Sequence, residues 1–261
     1  MSFQKDFLEL YEPVMQGMGF ARKRYVFHRL LNKQIVQKLS YVMFRGSKRF
    51  TIQYCFSPLC SGEEERVFMD DYRIGSLLGN EVLGYRDTDN PSSLQETLEI
   101  CQEHLFPLFD TIVDYESYLA YVDDKNQKEF ASYSEGARRR YESYFVDGIH
   151  IADKASYHIN LIVGNYDTAL NCREALIKTY TSRVKPHHYA KIKRNEEVME
   201  AYQRVKAAVE NEDKAYIEEY IAANEKQALD SYILNFLGKR VYDKYLLTGE
   251  LPARIVQSTL T

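Results

Sequence analysis

The chain has 261 residues, 45% of them apolar, 28% charged and 13% aromatic, with a formal charge of −4. That composition excludes disorder, collagen-like repetition and a small disulfide scaffold, and it provides for a proper hydrophobic core. No run of about 18 apolar residues offers a transmembrane helix, and Met1-Ser2-Phe3-Gln4-Lys5-Asp6 lacks the apolar stretch of a signal peptide.

From the amino terminus, Phe3, Phe7, Leu10, Tyr11, Val14, Met15 and Met18 recur at spacings of three and four, so they predict an amphipathic helix ending near Gly17 and Gly19. Pro13 lies inside it and should kink or divide the helix, because proline removes one hydrogen bond. After Phe20 the pattern becomes extended, first over residues 25–28 and then over 35–44, with Ile35, Leu39, Tyr41 and Met43 on one side. Phe50, Ile52, Tyr54 and Phe56 alternate with Thr51, Gln53, Cys55 and Ser57, the period of a strand with one buried face. The polar link Arg45-Gly46-Ser47-Lys48-Arg49 between these runs predicts an antiparallel hairpin. Residues 58–65 read as a loop, and residues 66–69 with 72–74 as a further strand.

Beyond Asn90-Pro91-Ser92, Ser93 with Glu96 has the spacing of a capping box, and Leu94, Leu98, Cys101 and Leu105 form a stripe behind it. Pro107 should break or kink that helix. The apolar pattern resumes through Phe109, Ile112, Val113, Tyr118, Leu119 and Val122, and everything after Asp123 looks helical. Residues 151–163, the turn Gly164-Asn165-Tyr166-Asp167-Thr168-Ala169-Leu170, and the stretch through Tyr180 predict a helical hairpin. An echo 46 residues on matches Val163, Asn165, Asp167 and Ala169 with Val209, Asn211, Asp213 and Ala215. Gly238 is a candidate helix cap, and the chain after Pro252 reads as a tail. The expected class is α+β: an antiparallel sheet of about four strands covered by helices in residues 1–125, then an all-helical bundle in residues 126–261.

The opening helix with Pro13, the Gly19-Phe20-Ala21-Arg22-Lys23 turn, Phe27 in a short strand and the Phe50-Thr51-Ile52 strand resemble the bacterial domain of unknown function 4304. That resemblance covers about the first half of the chain, implies a fold, and brings no catalytic residues with it. The turn at Gly164 is similar to that of tetratricopeptide hairpins, which implies a role in holding protein partners.

The chemistry-bearing residues form no motif. Cys55, Cys60, Cys101 and Cys172 lack a Cys-x-x-Cys pair and read as reduced core thiols of a cytoplasmic protein. Gly238-Lys239-Arg240 lacks the remainder of a phosphate loop, and no Gly-x-Ser-x-Gly or His-Glu-x-x-His occurs. Neither the acidic groups Glu63, Glu64, Glu65 and Asp70, Asp71 nor the adjacent His187 and His188 has metal-site spacing. No cofactor and no metal is expected.

Charge is uneven: residues 1–60 hold ten Lys/Arg against three Asp/Glu, and residues 61–125 hold four against sixteen. Either a basic surface meets nucleic acid or the two segments neutralise one another as neighbours, which is the favoured reading. The leading expectation is a non-enzymatic module that binds another protein through the Gly164 hairpin, with Tyr157, Asn165 and Tyr166 as contact candidates. Nucleic-acid binding through Arg45, Lys48 and Arg49 is the second, helped by the clusters at residues 22–24, 138–140 and 191–194. An enzyme with a dispersed site near Cys55 or His28 is the third.

Overall fold

The computed structural model describes residues 3–62, 72–79, 81–132, 145–146, 149–150, 154–182, 189–252 and 256–257. The strand expected at residues 66–69, the two acidic groups, residues 138–140 and the His187, His188 pair lie outside them. The chain divides into two compact units, one made of Met1–Leu59, Arg66–Ser117 and Ala228–Thr261, the other of Cys60–Glu65 and Tyr118–Gln227. This grouping differs from a division at residue 125. Residue 125 lies inside the helix α4, Tyr115–Ser132, and the chain from Ala228 onward rejoins the unit that holds the sheet.

The first unit begins with α1, Phe3–Gly17, whose Phe7, Tyr11 and Met15 are fully buried at the predicted spacing. Pro13 does not divide it, because Pro13 and Glu9, whose carbonyl loses its partner there, both lie on the exposed face. The helix ends where Phe20 N donates to Met15 O and Gly19 N to Gln16 O, both 2.9 Å.

Among the described residues the sheet has seven strands. β1 (Ala21–Lys23), β2 (Val26–Leu31), β3 (Ile35–Met43), β4 (Arg49–Pro58) and β5 (Tyr72–Arg73) follow in order, each antiparallel to the last. β6 (Arg86–Asp87) pairs with the start of β4. Thus the α+β class and antiparallel sheet are as expected, with short strands added at the edges. The expected tail supplies one of them: Val256–Gln257 pairs parallel with Leu30 and Leu31 of β2.

Both faces of the sheet are covered in its middle, where the alternation in β4 predicts one. Phe27, Leu39, Ile52, Tyr54 and Phe56 line one face with α1 and Phe109. On the other, Leu30 and Val36 pack with Leu59, Ala228, Tyr232 and Ile233. Small and polar side chains, Thr51, Cys55 and Ser57, share that second face and are buried with it, so polarity alone misassigned it.

The helices on the first face show two local corrections. The capping box is not made: Ser93 is buried inside the first turn of α2 (Ser93–Ile100), and it is Ser92 whose hydroxyl donates to Glu96 Oε1, 2.6 Å. Pro107 does not break the chain of helix either. A π turn over Cys101–Leu105 leads directly into α3, Phe106–Thr111, with Pro107 in its first turn, where no amide partner is required. Arg29 on β2 and Gln37 on β3 then close that helix. Arg29 Nη2 donates to Phe109 O at 2.7 Å, and Gln37 Nε2 to Phe109 O and Ile112 O, each at 2.7 Å, satisfying carbonyls a helix end leaves orphaned.

The second unit contains most of α4, a ribbon of β7 (Phe145–Val146) and β8 (Ile149–His150), then α5 (Lys154–Ile162), α6 (Tyr166–Ser182), α7 (Tyr189–Glu210) and the greater part of α8 (Lys214–Tyr232). The last turn of α8, a π turn over Ile233–Leu237 and α9 (Lys239–Thr248) belong to the first unit. Among the described residues, no helix is long and apolar enough to cross a membrane.

Candidate functional site

The basic hairpin forms as the sequence requires, with Phe44 N donating to Arg49 O at 3.0 Å and Arg45, Lys48 and Arg49 exposed. Its charge is met in part on the spot. β6 sets Asp87 opposite Arg49 in register, Lys48 Nζ is ion-paired with Asp89, and Thr88 N donates to Lys48 O at 2.7 Å. The hydrogen bond to Asp89 holds the Lys48 ammonium above its ordinary range. The ion pair of Lys48 with Asp89 lowers the net charge that this turn presents.

The Gly164 hairpin also forms, and it uses its candidate residues internally. Tyr157 is fully buried, with the Arg173 guanidinium 4.9 Å from its ring centre, and burial raises its phenol well above the ordinary range. Asn165 N donates to Asn160 O at 2.9 Å, and Ala169 N in turn donates to Asn165 O at 3.0 Å. Tyr166 is half-buried at the start of α6.

The same turn recurs later, with a spacing other than 46. Gly164 N donates to Leu161 O and Asn165 N to Asn160 O; Glu212 N donates to Val209 O and Asp213 N to Ala208 O. Gly164 and Glu212 both have left-handed backbone, φ 80° and 55°. The geometric repeat therefore pairs Gly164 with Glu212 and Asn165 with Asp213, two residues beyond the echo in the letters. Asp213 Oδ1 accepts from Tyr216 N at 3.1 Å, the role of an N-cap.

This unit also carries two polar groups with no sequence motif. His158, buried, stacks on Tyr220 at 5.9 Å between ring centres, with Nε2 3.3 Å from the Tyr220 hydroxyl. Tyr202 donates to Glu174 Oε1 at 2.6 Å, and Lys206 Nζ reaches the same oxygen at 3.4 Å. These bonds, that from Tyr202 foremost, hold the Glu174 carboxyl below its usual range.

On the second face of the sheet, strand register assembles three reactive side chains in one row: His28 opposite Lys38, and Lys38 opposite Cys55. All three are buried, and Cys55 Sγ lies 2.8 Å from Ser57 Oγ. His28 Nδ1 lies 2.9 Å from the Tyr232 hydroxyl, and burial first, then Lys23, lowers the imidazole to about 4. The ring is neutral at pH 7. Cys101, against Tyr11, is pushed up to about 12 by burial and is an inert thiol.

Among the described residues, the most exposed large apolar side chains stand elsewhere, on α9. Val241, Tyr242 and Tyr245 pack toward the Tyr232 and Ile233 core, while Leu246 is 57% exposed and Leu247 88%. Lys239, Arg240, Asp243 and Lys244 share the outward side with Leu247. Sequence periodicity could have singled out Leu247, which falls out of step with Val241, Tyr242 and Tyr245, whereas Leu246 follows Tyr242 at a helical four-residue step. No family model, curated protein or solved structure matches the chain.

Proposed function

We propose that the protein is a non-enzymatic interaction module of the bacterial cytoplasm, and that it docks another protein on the outward face of α9. The observation that carries this reading is the pair Leu246 and Leu247, presented to solvent by a helix whose inner residues are already satisfied by the core. Burying two leucines in a partner contributes about 1.5–3 kcal/mol each, a useful share of a micromolar affinity. His28, His158 and the four cysteines are packed inside, which suits a scaffold better than a reaction centre. The resemblance to the domain of unknown function 4304 and the tetratricopeptide-like turn at Gly164 point the same way, although the docking surface moves from that turn to α9.

The test is affinity recovery from native extract at low and high salt, comparing the wild-type chain with Leu246→Ser/Leu247→Ser. A stoichiometric protein held by the first and lost by the second is the expected result. Equal recovery by both, or none by either, sinks the reading.

One observation favours a second reading, an enzyme: the row His28, Lys38, Cys55. A lysine beside a thiol favours its reactive thiolate. If that row works as a nucleophile, native Cys55 reacts with iodoacetamide at least as fast as free cysteine; as an interior thiol it labels only on unfolding.

A further inference from the structure

We infer that the partner of α9 presents an acidic segment, in which carboxylates alternate with apolar anchors; this deepens the interaction reading and rests on it. The rows 239, 243, 247 and 240, 244, 247 run along one side of the helix at four- and three-residue steps. They place Lys239, Arg240 and Lys244 around Leu247, with Asp243 as the single carboxylate in the group.

The β1 to β2 turn extends the same basic surround. Lys23 Nζ donates to Asn235 O, which fixes the exposed Lys23 and Arg24 beside the segment that bears exposed Leu234 and leads into α9. Arg22 in that turn is already occupied, 2.7 Å from Glu12 Oε1. On α9 itself Lys239, Arg240 and Lys244 thus flank Leu247 against Asp243, and Lys23 adds a cation beside the segment that carries Leu234.

Charge complementarity selects the occupant. Nucleic acid would use the cations and waste the leucines, which offer nothing to phosphates. A membrane surface needs a broad apolar stripe on the outward side, whereas this helix of ten residues carries charge along most of it. Carboxylates spaced among apolar side chains satisfy both components at once, the leucines supplying affinity and the cations orientation and rate of encounter.

The probe is a displayed library of random peptides selected on the full chain, with the enriched sequences resynthesised and measured by fluorescence anisotropy. Leu247→Ser and the triple variant Lys239→Glu/Arg240→Glu/Lys244→Glu serve as comparisons, both at exposed positions so that the fold survives. Acidic-apolar peptides are expected to dominate, and either variant is expected to weaken them at least about tenfold. Enriched peptides without acidic bias, or affinities unmoved by the charge reversal, overturn the inference. So does self-association of the chain that Leu247→Ser abolishes, which makes a second copy the occupant, and so does retention on phosphatidylserine vesicles in place of peptides. If extract recovery still depends on Leu246 and Leu247 while the peptides show no acidic bias, only the partner's chemistry falls; if no partner is recovered at all, both readings fall.

Discussion

His28 and Tyr232 stand 204 positions apart in the chain and share one hydrogen bond, 2.9 Å from imidazole Nδ1 to phenolic oxygen, inside the second face of the sheet. The phenol joins the last turn of α8 to β2, so one polar contact ties the returning chain to the sheet. Tyr232→Phe keeps the ring packing and leaves the imidazole nitrogen without its partner. A loss of about 1–3 kcal/mol is expected in urea unfolding.

The same histidine sets a pH dependence. Its imidazole titrates near 6.5 when exposed and at about 4 in the folded chain. Between those values the unfolded state binds a proton that the folded state does not, so stability falls as pH is lowered through the window and levels off below it. The expected loss is about 3 kcal/mol from this group. His28→Gln retains a partner for Tyr232 but does not titrate, and urea midpoints at pH 7 and pH 4.5 should differ less in that variant than in the wild type.

Two glycines are expected to respond differently to alanine. A Cβ on Gly84 would stand 2.5 Å from Gly75 N and 2.8 Å from Gly75 Cα, and backbone cannot step aside as a flexible side chain can. Gly84→Ala should cost about 1–3 kcal/mol or more by overpacking. Gly46 has open space around its Cβ position and only a left-handed φ of 78°, so Gly46→Ala should cost about 1–2 kcal/mol through backbone strain. Thermal melting of the two variants checks the order.

The hairpin gives a gain-of-function test. Asp87→Asn/Asp89→Asn keeps the local hydrogen-bond acceptors and removes the negative charge beside Arg45, Lys48 and Arg49. The wild-type chain is expected to ignore a single-stranded oligonucleotide at low salt. The variant should retain it weakly and release it between about 50 and 200 mM salt.

These cases show where the letters were legible. The helix through Phe7, Tyr11 and Met15, the β3 to β4 hairpin and the Gly164 turn are all local, so periodicity and turn residues identify them. The second buried face of the sheet was not legible, because Thr51, Cys55 and Ser57 look like solvent-facing positions until residues distant in sequence cover the sheet beside them. The π turn before Pro107 was hidden for a related reason: proline announces a disturbance but not whether the helix breaks or widens. Turn geometry, too, outlives its letters, since Glu212 takes the backbone that Gly164 takes with no glycine to advertise it. Of the candidate contacts, Tyr157 carried the right periodicity and the wrong inference, because a tyrosine at helical spacing is as readily a core ring as a surface one. On α9, Leu247 was legible as the apolar residue out of step with Val241, Tyr242 and Tyr245; Leu246 was not, because its spacing from Tyr242 suits the core equally well.

The parallel pairing of Val256–Gln257 with β2 has a consequence for synthesis. β2, β3 and β4 emerge from the ribosome early, yet Ala228, Tyr232 and Ile233, which cover Leu30 and Val36, come only after the whole helical insertion has been made. Throughout that interval Leu30 and Val36 lack most of their cover, exposed apolar surface of the kind on which chaperones act. Closing it is a contact of high sequence separation, so the sheet matures last although it is made first.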